Sequence, residues 1–109
     1  IKMYIAKGLD VHITEIEIAS MSKADAENPE KLKESYKKTF EMFLRNAKTK
    51  NKKGISSVTF WGLHDGVTWL NVPSNGQLQW LNNVHQYPLI FDENLNTKPA
   101  FYGVLEAAQ

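Results

Sequence analysis

The sequence has no cysteine. Disulfide bridges, thiolate-ligated zinc and a thiol nucleophile are thereby excluded, while the redox compartment stays open. Net charge is nearly absent as well: 13 Lys and Arg stand against 12 Asp and Glu, for +1 at neutral pH. That balance gives no electrostatic case for nucleic acid or for an anionic membrane surface. No apolar run is long enough to span a bilayer, and there are no internal repeats or low-complexity tracts. No His, Asp and Glu spacing resembles a metal site, and no cofactor is expected. No stretch reads as a secretory signal peptide. This carries nothing about compartment, because the first element reads as the end of a helix without its start. What is present is a 42% apolar share over 109 residues, enough for a single-domain core.

Residues 1–7 (IKMYIAK) place Ile1 and Ile5 on one helical face, with Lys7 in the last turn and Gly8 where a left-handed cap belongs. A strand is expected over about residues 9–17, then a polar loop over 19–28 (ASMSKADAEN). A helix follows from about Pro29 to Lys48, with Asn28 as N-cap and proline at its first position. Leu32, Tyr36, Phe40, Phe43 and Ala47 make one buried stripe along it. Lys48, Lys50, Lys52 and Lys53 cluster beyond the stripe, where cations suit the negative end of the helix dipole. The run lacks the interleaved aromatics of a nucleic-acid patch. A second strand covers 55–61 (ISSVTFW), with Val58 and Phe60 facing one way and Ser57, Thr59 and Trp61 the other. Residues 62–87 form a long irregular segment carrying Trp69, Trp80, His64, His85 and Asp65. A stretch of that length without regular structure is usually functional. The last helix begins near Pro99, with Phe101, Val104, Leu105 and Ala108 as its apolar stripe. Helices alternating with strands imply parallel pairing. Parallel sheets rarely stop at two strands, so the chain reads as a piece of a larger α/β fold.

The chemistry centres on residues 10–18 (DVHITEIEI). A two-residue period places Val11, Ile13, Glu15 and Glu17 on one face, and His12, Thr14 and Ile16 on the other. Such a strand opens at its end into a polar pocket that presents Glu15; alternatively, it simply runs out of the core with both carboxylates wetted. Ligands of parallel α/β folds sit at the carboxyl ends of the strands. Glu15 and Glu17 lie at that end of the first strand, Trp61 at that end of the second, and the following loop delivers Trp69. Indole faces stack on pyranose rings, and a carboxylate acts as nucleophile or ion stabiliser at an anomeric carbon. By alternation His12 points away from Glu15 and reads as structural, His64 is a candidate polar contact, and His85 has no assignable role.

Residues 10–18 together with 57–70 (SVTFWGLHDGVTWL) and 88–102 (PLIFDENLNTKPAFY) resemble, in order and over essentially the whole chain, the carboxyl-terminal part of glycoside hydrolase family 10 endo-xylanases. The resemblance implies the C-terminal portion of a (β/α)8 TIM barrel: the end of helix six, strand seven, helix seven, strand eight and helix eight. It implies retaining hydrolysis of β-1,4-xylan by two glutamates, with a secreted setting. The nucleophile of the family's strand-seven ITE motif falls on Glu15. The tryptophans lining the sugar subsite next to the scissile bond fall on Trp61 and Trp69. The family usually has Asp two residues after the nucleophile, supporting a histidine; here Glu17 keeps the charge on a longer side chain. The family's acid/base glutamate lies on strand four, outside this chain. Glu93, in a turn, and Glu106, within the last helix, are poor substitutes for it. Two readings follow: part of a retaining endo-β-1,4-xylanase completed by the N-terminal part of the same barrel, attached or as a separate chain, or a non-catalytic half-barrel that at most binds carbohydrate.

Overall fold

The computed structural model describes the backbone of residues 1–109 and every side chain except those of Asn75 and Gln77. In chain order the described elements are helix α1 (Lys2–Ala6), strand β1 (Val11–Ile16), helix α2 (Lys23–Ala26), helix α3 (Pro29–Arg45), strand β2 (Ile55–Phe60), three 3-10 turns, helix α4 (Gln77–Trp80) and helix α5 (Pro99–Ala107). β1 and β2 pair in parallel, with α3 as the crossover between them. No helix among the described residues is long and apolar enough to cross a membrane.

α1 contributes no buried residue, and Gly8 follows it at φ +78°, the left-handed conformation expected of its cap. α2 falls within the stretch read as a loop. Its start is fixed by the Ser22 hydroxyl, which accepts from the Asp25 N–H at 3.1 Å. α3 begins as expected: the Asn28 side chain accepts from the Lys31 N–H, and Pro29 opens the first turn. It ends at Arg45, three residues before the expected Lys48, because the chain turns back to pair with β2. The Ile55 N–H donates to the Asn46 carbonyl and the Lys48 N–H to the Ile55 carbonyl, both at 2.8 Å. The Lys52 ammonium donates to the Arg45 carbonyl, which places a cation on the helix's last turn.

The core lies between α3, α5 and one face of the strands. Ile16, Leu32, Tyr36, Phe43, Ile55 and Ala100 are buried together, with Phe40, Val58 and Phe60 packed against them. Each large apolar side chain removed from water contributes roughly 1.5–3 kcal/mol. Phe40 and Phe60 stack with their centroids 5.8 Å apart. The Tyr36 hydroxyl donates to the Pro88 carbonyl, so its burial leaves no polar atom unmatched, and burial pushes the phenol's pKa up. The α5 stripe differs from expectation. Ala100 and Gly103 are buried while Leu105 stays exposed, because α5 lies too close to α3 for larger residues. A Cβ at Gly103 would fall 2.4 Å from the Lys33 carbonyl oxygen.

Strict alternation fails in β1. Ile13 pairs with Val58 and Ile16 with Phe60, so three steps on β1 oppose two on β2. This extra residue is a bulge, and it reverses which side chains face the helices. Val11, Ile13, Ile16 and Ile18 all reach the core side. The expectation that Glu15 and Glu17 share a face with Val11 and Ile13 is therefore corrected, as is the placing of His12 opposite Glu15. All three stand on the face away from the helices. The physical reason is burial cost: an unbroken period would bury two carboxylates among apolar neighbours or expose two isoleucines. Along that outer face His12, Thr14, Glu15, Ser57 and Thr59 are exposed. His12 pairs with the Ser57 hydroxyl at 2.8 Å and with Asp10 at 3.2 Å.

Candidate active site

Strand geometry brings Glu15, Glu17 and Trp61 to one end of the pair. The Trp61 N–H donates to the Ile16 carbonyl at 3.0 Å, adding a rung beyond β2 and setting Trp61 beside the end of β1. Gly62, at φ +138°, then turns the chain out of the sheet.

The segment 62–89 is irregular but closely tied down. The Asp65 carboxylate accepts from the Leu89 N–H at 2.9 Å and from the Lys98 ammonium at 2.6 Å. Lys98 also donates to the Tyr87 and Leu89 carbonyls, so this cation has three oxygen partners. Burial pulls the Lys98 pKa down, against the opposing pull of Asp65. Gln86, almost fully buried, accepts from the Ser20 N–H and donates to the Ser20 and Val84 carbonyls. The Asn71 side chain pairs with the Gln86 backbone through two bonds of 2.8 Å. The His64 imidazole accepts from the Gly66 N–H, and so caps a local turn. Asp65, Gln86 and Lys98 were not distinguished by any periodicity, since they act through contacts between segments far apart in sequence.

This scaffold presents Trp69 to Glu17: the indole N–H donates to Glu17 Oε1. Glu17 is partly buried, and its Oε2 is shielded from water with no hydrogen-bond partner among the described residues. Desolvation raises its pKa, and the neighbouring charge of Glu15 adds to the rise; the Trp69 and Thr68 donors oppose it. A cavity of about 300 Å³ opens here, lined by Glu17, Ala19, Trp69, Leu70, Trp80 and Leu81. A second cavity of about 290 Å³, between Ala26, Pro29, Leu32, Tyr87 and Lys98, contains none of the tryptophans. The first is the better candidate, because it combines a carboxylate with two indoles. Trp61 and Trp69 are 44% and 36% exposed.

The structure thus brings the four residues singled out in the sequence, Glu15, Glu17, Trp61 and Trp69, to one end and one face of the sheet. It assigns Glu17 a definite contact with Trp69, and it adds Trp80, for which the sequence carried no role. Glu106 is occupied elsewhere, paired across from α5 to Lys33 at 3.0 Å and Lys37 at 3.7 Å on α3. Among the described residues no group of His, Asp and Glu is arranged to hold a metal ion.

The family model described as glycosyl hydrolase family 10 matches residues 1–107. An endo-1,4-beta-xylanase B from Butyrivibrio fibrisolvens is 34% identical over 108 residues, covering 99% of this chain and 15% of its own length. An endo-1,4-beta-xylanase from Geobacillus stearothermophilus is 34% identical over 115 residues, covering 96% of this chain and 31% of its own length. Among solved structures, a Clostridium thermocellum endo-1,4-beta-D-xylanase complexed with xylohexaose superposes with a TM-score of 0.73 at 28% identity, over 97% of this chain and 18% of that one. The chain therefore spans 15% and 31% of the length of these two curated relatives.

Proposed function

The chain belongs to glycosyl hydrolase family 10, and on that premise we propose that it forms the carboxyl-terminal part of the (β/α)8 barrel of a retaining endo-β-1,4-xylanase. In this reading α1 is the end of barrel helix six, β1 is strand seven, α3 is helix seven, β2 is strand eight and α5 is helix eight. The carrying observation is the convergence of Glu15, Glu17, Trp61 and Trp69 at the carboxyl end of a parallel pair, on the face that α3 and α5 leave open.

Glu15 is the nucleophile. Its carboxylate attacks the anomeric carbon and forms a glycosyl-enzyme ester, while a second carboxyl protonates the departing oxygen and then activates water to release the sugar. That second group belongs roughly 5 Å away across the scissile bond. Glu17 does not fit this role, because it projects from the same strand end and is engaged by the Trp69 indole. The acid/base is supplied by the amino-terminal strands of the barrel. Trp61 and Trp69 are platforms for the sugar beside the scissile bond, and Glu17 fixes the Trp69 ring edge. The same engagement of Glu17 favours a second reading for the chain on its own: a half-barrel that binds carbohydrate without cleaving it.

The test is Glu15→Ala in the full-length protein, assayed on xylan and xylo-oligosaccharides. Turnover is expected to vanish while oligosaccharide binding largely survives; normal turnover overturns the nucleophile assignment. Native mass spectrometry separates the two readings, since the first requires this chain to travel with the earlier strands.

A further inference from the structure

A net charge of +1 conceals a local excess: Arg45, Lys48, Lys50, Lys52 and Lys53 fall within nine residues that contain no acid. Every residue from Lys48 to Lys53 is exposed. The backbone gives this run a fixed shape. The Lys48 N–H donates to the Ile55 carbonyl at 2.8 Å, and Thr49 and Lys52 exchange both of their backbone bonds, at 2.9 and 3.4 Å. Lys50 and Asn51 thus stand at the tip of a tight turn. Gly54 closes the return to β2, where a Cβ would fall 2.3 Å from the Asn46 carbonyl oxygen. Residues 48–53 surround a hollow of about 270 Å³. Little of the charge is used within the chain. Lys48 pairs with Asp10 at 3.6 Å and the Lys52 ammonium donates to the Arg45 carbonyl. Arg45, Lys50 and Lys53 make no ion pair with the described residues. The loop precedes the first residue of β2, about 20 Å of strand away from Trp61.

We propose that residues 45–53 form a separate docking surface for a polyuronate, a polysaccharide whose sugar units carry carboxylates. The inference goes beyond the xylanase reading and does not need it. Lysines at positions 48, 50 and 52 alternate with Thr49 and Asn51. Ammonium groups suit carboxylates, while a hydroxyl and an amide between them suit the ring hydroxyls of the same units. Other polyanions fit less well. The run has no aromatic side chain on which an unstacked nucleobase could lie. It also has no large apolar side chain to enter a lipid interface. The surface lies at the end of the strand pair opposite Glu15, Glu17 and Trp61, so a polymer held there leaves that end open. Because the cations are exposed, the attraction falls as salt shortens the screening length.

The test measures binding of the full-length protein, by biolayer interferometry at low salt, to immobilised polygalacturonate and to polyglutamate of matched carboxylate content. Wild type is expected to bind polygalacturonate the more tightly. Lys50→Glu with Lys53→Glu removes two attractions and adds two repulsions, and should weaken that binding about tenfold. Its thermal midpoint and its turnover of neutral xylohexaose stay at wild-type values, and Lys50→Arg with Lys53→Arg retains binding. The Asn51 backbone is at negative φ, so alanine fits there; Asn51→Ala should erase the preference for polygalacturonate over polyglutamate. A wild type that does not bind polygalacturonate, or a charge reversal that leaves its affinity unchanged, overturns the surface. Equal wild-type affinity for the two polymers overturns the polyuronate in favour of an unselective basic patch. Tighter binding to phosphatidylglycerol vesicles overturns it in favour of a lipid partner. The Asn51→Ala comparison decides the matter even where the charge reversal lowers the midpoint. None of these readouts depends on xylan turnover, so the xylanase reading stands or falls separately.

Discussion

The face of the β1–β2 pair that meets α3 and α5 buries Ile16 and Ile55 against Leu32, Tyr36, Phe43 and Ala100, whereas the opposite face leaves His12, Glu15, Ser57 and Thr59 in water. The first face is satisfied within this chain. Its one buried hydroxyl, on Tyr36, finds the Pro88 carbonyl. The second gathers groups that are costly to bury and suited to a polar ligand. On the proposed function, stability and chemistry fall to different sides of the same six-residue strand, and substitutions on the two sides should move different observables.

The sharpest contrast is Glu15→Gln in the full-length protein. We expect kcat on xylan to fall by about three orders of magnitude or more, while urea unfolding changes by no more than about 0.5 kcal/mol, as for exposed positions generally. A comparable loss of stability would erase the division between the faces. On the buried side, Tyr36→Ala should cost about 3–5 kcal/mol in the same unfolding measurement, since it removes a fully buried ring and one of the two donors to the Pro88 carbonyl, leaving only the Ile18 N–H. Lys98→Met leaves the Asp65 carboxylate buried without its cation, held only by the Leu89 N–H, and should cost about 3 kcal/mol. Adding Asp65→Leu should recover a large part of that loss, and a double-mutant cycle reads the coupling. Gly103→Ala, which drives a Cβ into the Lys33 carbonyl, should cost about 1–3 kcal/mol by thermal unfolding.

The smallest effect concerns Glu17, half-buried at the end of the outer face beside Trp69. Its folded pKa is raised above the ordinary 4.5, chiefly by desolvation. The folded state then holds the proton more tightly than the unfolded one. The stability linked to that proton is fully present below pH 4.5 and is lost as pH rises through the folded pKa. Glu17→Gln should therefore flatten this slope. Its thermal midpoint relative to wild type should be higher at pH 7 than at pH 4; an identical difference at both pH values would show that Glu17 titrates normally.

Much of the fold was legible in residue spacing. The α3 stripe through Leu32, Tyr36 and Phe43 is buried as the helical period requires, and Asn28 and Pro29 mark its start. The ending of α3 was not legible, because it depends on Asn46 and Lys48 meeting Ile55. The α5 stripe was misread because hydrophobicity alone favours Leu105 over Gly103, while the approach of α3 favours the smaller residue. In the candidate site, Glu15, Trp61 and Trp69 stood out by type and by position at strand ends. Trp80 and Glu17's partner did not, since both arise from loops folding back on each other.

The sequence by itself determined the alternation of helices and strands, the parallel pairing, the absence of thiol chemistry and the family to which the chain belongs. These follow from local period, capping residues, composition and short contiguous motifs. Only the tertiary structure decided which face carries the carboxylates. That choice depends on one extra residue between Ile13 and Ile16, made favourable because it buries isoleucines on one side and keeps Glu15 and Glu17 from burial in the core on the other.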